Sequence, residues 1–574
     1  MRLSRRDQHS SEGKGVPLAY GKKVWLALVA PICFWSSLAA PSSGQVIFVD
    51  AAASGANDGS SWSNAFTKLQ DALAAASAGR QIWVARGVYY PDEGGGQTNG
   101  DRAATFQLKN GVGVYGGFVG TESALSQRAP TTNVTVLSGD IDQNDTTDAN
   151  GVVASHTDIV GSNSYQVVKG SGTNSTAVLD GFTITGGLAN GPTGPCANQC
   201  GAGLLNDAGS PTLGNLVFSG NSSVNAGGGM ANTNSSSPTL FNVTFVQNRA
   251  GQGGGMANLD GSSPTIEDGR FIRNLAQVGT GGNGGGMFNL NGSQPVMVGV
   301  VFWDNEALVN GGGLLNQASS SPVLRNVAFF GNKAAFGGGL YNLASSNPLL
   351  VNVVFSGNLA FRVGGGAGGG MLNNGSSPTL TNVTLSGNIA AGSIQQAGGI
   401  LNGNSHPVLV NVILWGNVAS TGKEMVNVGG SVPQISFSLI EGSGGSGSGW
   451  NTAFGTDGGN NLDTNPMFID PDGGDNVPGT LDDNLRLQGG SPAIDAGNNG
   501  APGLGLVSTD LDGALRFIED PLTPDTGAGS PPIVDLGAYE FRRPFFARVP
   551  GYSLAGVVLA IVALVLLGSR RLAV

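Results

Sequence analysis

One unit is written eight times between about Gly201 and Asn417. Gly253-Gly254-Gly255-Met256-Ala257-Asn258 is followed by Ser263-Pro264, then Phe271, then Asn274. The same order returns as Gly337-Gly338-Gly339-Leu340-Tyr341-Asn342, Asn347-Pro348, Phe355 and Asn358. The anchor falls at Phe218, Phe245, Phe271, Phe302, Phe329, Phe355, Leu385 and Leu414, at intervals of 26 to 31 residues. A period of that size means a solenoid, in which each unit buries its apolar side only against its neighbours. Helical repeats are excluded. A glycine triplet would cost about 1 kcal/mol per residue in a helix interior, and the recurring proline would break the helix.

The pieces between the punctuation are short and β-forming, as in Thr239-Leu240-Phe241-Asn242-Val243-Thr244-Phe245. Asn-Gly, Ser-Pro and Gly-Gly separate them. About three strands and three turns fit one unit, which is one coil of a parallel β-helix. Period-2 alternation puts Val243 with Phe245, and Met256 with Asn258, on shared faces. Leu240 and Val243 are three apart, so the chain must turn at Asn242, a residue type that tolerates the left-handed corner. Asn215, Asn326, Asn352, Asn382 and Asn411 are its equivalents. A second series runs Asn206, Asn232, Asn258, Asn289, Asn316, Asn342, Asn373 and Asn402. Coils stacked about 4.8 Å apart would turn both series into structural ladders of amides.

The motif GGG[ML]xN…SP…NVxFxGN resembles the units of bacterial right-handed parallel β-helix surface proteins, some similar to polymorphic outer-membrane proteins, over residues 46–440. The resemblance implies an all-β, right-handed parallel β-helix, a pectate-lyase-like solenoid, with an N-terminal helical cap and a C-terminal transmembrane helix. It is specific for the fold and says little about activity.

Glycine numbers 97 of 574 residues and charged residues only 11%. Joined to a period, that composition means tight turns and small side chains stacked in register. The net charge of −11 argues against a nucleic-acid partner. Cys196 and Cys200 sit in an insertion before the first clear coil. In an exported chain they read as a small disulfide-closed loop.

Residues 1–44 read as a signal peptide: basic Arg2, Arg5, Arg6, Lys14, Lys22 and Lys23, an apolar core from Val24 to Leu38, then small residues. Residues 45–190 read as an N-terminal cap and first coils, with an amphipathic helix over Asn64–Ala78 capped by Asn64. Residues 191–440 carry the repeats. Residues 441–545 contain Gly490-Ser491-Pro492-Ala493-Ile494-Asp495-Ala496-Gly497 and Asp535-Leu536-Gly537-Ala538-Tyr539-Glu540. This order resembles a choice-of-anchor type C-terminal region and is expected to cap the solenoid. Residues 546–574 hold an apolar run from Tyr552 to Gly568 followed by Arg570-Arg571, a transmembrane anchor or a sorting tail.

The same scaffold serves polysaccharide lyases and glycoside hydrolases, which need clustered carboxylates. Glu267, Asp268 and Arg270 are the one candidate catalytic group between Cys196 and Ser420. Register by the phenylalanine anchors pairs Arg273 with Asp304, and Glu306 with Lys333, as structural ion pairs. Asp140, Asp142, Asn144 and Asp148 alternate as calcium-loop ligands do, without the glycine or closing glutamate of an EF-hand. A second acidic cluster, Asp470, Asp472, Asp475, Asp482 and Asp483, is another place for calcium. The expected function is a secreted, membrane-anchored, surface-displayed structural, adhesion or glycan-binding module, with a polysaccharide or cell-surface ligand as partner. The alternative is a carbohydrate-active enzyme.

Overall fold

The computed structural model describes residues 46–192, 196–277, 281–362 and 364–543. The expected signal peptide and C-terminal membrane segment lie outside them. Among the described residues no helix is long and apolar enough to cross a membrane.

The chain is a parallel β-solenoid. One coil is Met256–Asn258, then Thr265–Glu267 and Arg270–Ile272 bent about a corner, then Leu275–Ala276. Stacking these pieces gives an 11-stranded, a 21-stranded and an 8-stranded sheet. Every pairing within those three is parallel, and the phenylalanine anchors fall opposite one another, as Phe245 does to Phe271 and Phe271 to Phe302. The six rings from Phe218 to Phe355 stack with centroids 4.6–4.8 Å apart and planes 1–12° from parallel. Leu240, Val243, Phe245 and Met256 are fully buried in one continuous core. Offset stacking at that distance adds roughly 1 kcal/mol per pair to the burial of each ring.

The corner asparagines adopt the left-handed conformation, Asn242 at φ 49° and Asn352 at φ 54°. The series from Asn206 to Asn402 is buried and runs on to Asn427, each Nδ2 donating to the next Oδ1 at 2.8–2.9 Å. A third series, not read as a ladder from the sequence, is buried deeper in the hydrogen-bond sense. Asn221, Asn248, Asn274, Asn305, Asn332, Asn358, Asn388 and Asn417 pass Nδ2–Oδ1 bonds of 2.8–3.0 Å from coil to coil. Their backbone N–H groups donate to the same oxygens, as Asn274 N does to Asn305 Oδ1 at 3.0 Å. Within this third series each amide thereby uses both its Nδ2 and its Oδ1, and a missing partner would cost about 1–3 kcal/mol.

The helix is shorter than expected, Leu69–Ala75, and Lys68 rather than Asn64 occupies its N-cap position. Asn64 is consumed in the preceding loop, where its Oδ1 accepts from Ala56 N at 3.0 Å and its carbonyl from Asp58 and Gly59. Leu69, Ala72 and Leu73 join the main core beside the first strands, Val46–Val49 and Gln81–Ala85. Cys196 and Cys200 form a disulfide, and their loop packs on Leu205, Ala231 and Ala257.

Residues expected only to cap the end divide into two parts. Trp450 and Phe454 pack on the end of the core, behind Ile435 and Ile440. Residues 466–541 instead fold back along the flank of the 21-stranded sheet. There Phe468, Leu485, Leu487, Ile494, Leu536 and Tyr539 cover Ala328, Phe330, Val354 and Ile413. These last four are outward positions of their strands, and being apolar they must be covered. The corner ladder serves as the seam. Asn352 Nδ2 donates to the Thr509 carbonyl at 2.7 Å, and Asn382 Nδ2 to that of Asp535 at 3.0 Å. Asn411 both donates to the Asn498 carbonyl and accepts from its N–H.

Candidate functional site

The three candidate catalytic residues lie on the outward face of the 21-stranded sheet, beside the margin of the fold-back. Alternation sends Glu267 and Arg270 outward on either side of a corner, and Asp268 occupies that corner at φ 54°. Asp268 therefore stands where other coils carry the ladder asparagine, and its carboxylate fills the space that a side chain on Gly299, the next corner, would enter. The corner ladder breaks over these two coils. Asn242 donates to Asn215 at 2.8 Å on one side, and Asn352 donates to Asn326 at 3.0 Å on the other. All three candidates are exposed, and among the described residues no ion pair joins them to one another or to a neighbour. Glu267 faces Phe241 across one rung and Val298 across the other.

Beside them runs a charged row. Arg273 Nε meets Asp304 Oδ2 at 3.2 Å, the expected pair. Arg273 also stacks over Trp303, 5.1 Å from the ring centroid. The second pair is exchanged. Glu306 and Lys333 are opposite in register, but Lys333 Nζ reaches Asp304 Oδ1 at 2.6 Å, while Glu306 takes Arg362. Long side chains on a 4.8 Å ladder reach either neighbour, and Asp304 gathers two cations. Arg273 and Asp304 hold left-handed corners, φ 52° each, that glycine fills at Gly331 and Gly357.

The Asp140 loop is brought together only in part. Asp140 Oδ1 and Oδ2 accept from the N–H groups of Asn144 and Asp145. Asp142 Oδ2 accepts from Ser162 N, and Asp142 and Asn144 converge on Gly161. Asp148 closes a separate turn through Asn150 and Val152. Asp145, absent from the candidate set, is the more perturbed member. Burial, opposed by hydrogen bonds from Val160 and Asn163, pushes it up to about 6. In the second acidic cluster Asp482 and Asp483 accept from Gly474 and Gly479, and Asp483 also bonds Ser356 of the solenoid.

The densest ionisable chemistry lies in the fold-back. Arg516 is completely buried, with Glu540 3.4 Å from its Nε, and its Nη2 donates to the carbonyls of Asp535 and Gly537. Burial drives Glu540 well above the usual carboxylate range, against the pull of Arg516. Burial likewise raises Asp535 to about 6. Arg486, stacked on Tyr539 and forked onto Asp512, lines a small cavity with Asp510, Glu540 and Phe541. No period signals these contacts in the sequence. The paired acids and bases, Arg486 with Asp512 and Arg516 with Glu540, are far apart in the chain and irregularly spaced.

One polar residue, exposed or half-buried, stands before each coil's proline. Ser237, Ser263, Gln294, Ser321, Asn347, Ser377 and His406 make this row. Several accept a backbone N–H from the next coil, as Ser263 Oγ does from Gln294 and Ser377 Oγ from His406.

No family model matches the sequence, and no curated protein matches it. Among solved structures the chain is similar to pectate lyase Pel9A, at 17% identity and a TM-score of 0.40, over 87% of this chain and 96% of that one. The solenoid fold stands on the strand pairing itself.

Proposed function

We propose that this chain is an exported, surface-displayed β-solenoid that binds an extended polysaccharide along its coils and does not cleave it. The carrying observation is the row from Ser237 to His406, one hydroxyl, amide or imidazole per coil, exposed at Ser237, Gln294, Asn347 and His406 and half-buried at Ser263, Ser321 and Ser377. A linear polymer with regularly repeated hydroxyls offers matching acceptors at many successive coils, and weak contacts add up through multivalency. The ion pairs support the same reading, because Asp304 and Glu306 already hold cations within the coils. Export is supported by the basic and apolar leader and by the Cys196–Cys200 disulfide. Anchoring through residues 546–574 and the right-handed sense of the coils belong to the same proposal.

The test is incubation of the purified full chain with pectins, alginates and insoluble glycans, with and without calcium. Retention on a glycan without new reducing ends or unsaturated products is the expected result. Product formation abolished by Glu267→Gln would replace binding by catalysis. Absence of both retention and product across the panel would sink the glycan reading and leave display toward protein partners.

A further inference from the structure

Asp495 is a carboxylate placed where water cannot reach it. Its side chain is fully buried, and neither Oδ1 nor Oδ2 has a hydrogen-bond partner. Its backbone is firmly held. The N–H donates to Asp535 Oδ1 at 2.8 Å, and the carbonyl accepts from Thr526 and Gly527. Those bonds bring the segment Glu519–Asp525, exposed at both end carboxylates, over the Asp495 carboxylate. One oxygen each from Asp495, Glu519 and Asp525 lies within 4.8 Å of the others.

The charges around Asp495 are of its own sign. Burial and the neighbouring Asp535, Glu519 and Asp525 push it up to about 7, and only the nearby Asp520 amide pulls the other way. The two arginines of the region are engaged elsewhere. Arg516 faces Glu540, and Arg543 is forked onto Asp520. A buried acid with two empty acceptors, facing two further acids, lacks a cation.

We propose that Asp495, Glu519 and Asp525 form a calcium site that clamps the fold-back. Three oxygens mutually within 4.8 Å fit around one ion at Ca–O distances of about 2.3–2.6 Å, and an all-oxygen, all-carboxylate set selects a hard cation. Two of the three ligands are exposed, which leaves the ion's other positions to water and backbone oxygens. The site lies three residues from Asn498, whose backbone is bonded both ways to Asn411 of the solenoid. Calcium there would tie the segment 519–526 to the turn that docks the fold-back. This inference is independent of the glycan reading.

The experiment is calcium titration of the chelator-treated full chain by calorimetry, with thermal melts in parallel. Glu519→Gln and Asp525→Asn remove exposed ligands and leave the core intact. Wild type is expected to bind one more calcium than either variant, and to show a calcium-dependent rise in Tm that both lose. Asp495→Asn should melt above wild type in chelator and be insensitive to calcium at this site, because it removes the uncompensated charge. Equal stoichiometry and equal Tm rise in wild type, Glu519→Gln and Asp525→Asn would overturn the proposal. So would failure of wild type to bind at about 1 mM calcium, the weak end for extracellular modules.

Discussion

Asn305 shows what one side chain does inside the solenoid. It is fully buried, donates to Asn332 Oδ1 at 2.9 Å and the Phe271 carbonyl at 2.8 Å, and accepts both N–H and Nδ2 from Asn274. Asn305→Ala strands all of these at once and is expected to lower stability by about 3 kcal/mol in urea unfolding. Thr239→Ala, an exposed strand position, should stay within about 0.5 kcal/mol. The row ends on Glu424, whose two oxygens accept the N–H and Nδ2 of Asn417 at 3.0 and 2.5 Å. Burial raises Glu424 to about 8, above the ordinary 4.5. A raised acid favours folding while protonated. Its contribution is therefore full below about pH 4.5 and is lost as pH rises through about 8. Melts of wild type against Glu424→Gln across that window should show the difference between them changing with pH. A constant difference would mean that Glu424 does not titrate there. The corner asparagines and the series from Asn206 to Asn402 were readable from the sequence, because one residue type recurs at one register, whereas the row of Asn305 was not read as a ladder. Glu424 was not readable, because it closes the row from only seven residues beyond Asn417 and not from the matching position one coil on.

At the scale of the strand, the phenylalanine stack and the charged row behave differently. Phe302 contacts a ring on each side, so Phe302→Ala should cost about 3–5 kcal/mol and raise hydrogen exchange in the coils of Phe271 and Phe329. Asp304 holds two cations, but Arg273 is half exposed and Asp304 itself about one-third exposed. Asp304→Asn should cost no more than about 1 kcal/mol, and less at high salt, when urea midpoints are compared. Register gave Arg273 its partner before any coordinates. It could not give Lys333 its partner, since a four-carbon stem reaches the carboxylate at its own rung and the one beside it equally. The candidate group around Glu267 was legible as a cluster. That Asp268 is a corner residue became clear only from its left-handed backbone.

The whole molecule is a solenoid with a second layer bound along one side. A plain solenoid is stabilised by nearest-neighbour coils alone. Here residues 466–541 touch strands from Val301–Trp303 to Leu439–Ile440 and couple coils that never meet. The sequence concealed this, because Phe330, Val354 and Ile413 are as good at forming strands as at demanding cover. Deleting residues 466–541 should uncover those side chains and Trp303, Trp415 and Phe437, giving strong dye binding and aggregation with the parallel pairing retained. Loss of all β-structure on deletion would mean that the coils need the layer to form. The direction of this layer also has a mechanical meaning. A pull applied at Arg543 enters through its fork onto Asp520 and then through the seam at Asn382 and Asn411. It loads several coils side by side in shear, instead of peeling the last coil off the end one hydrogen bond at a time.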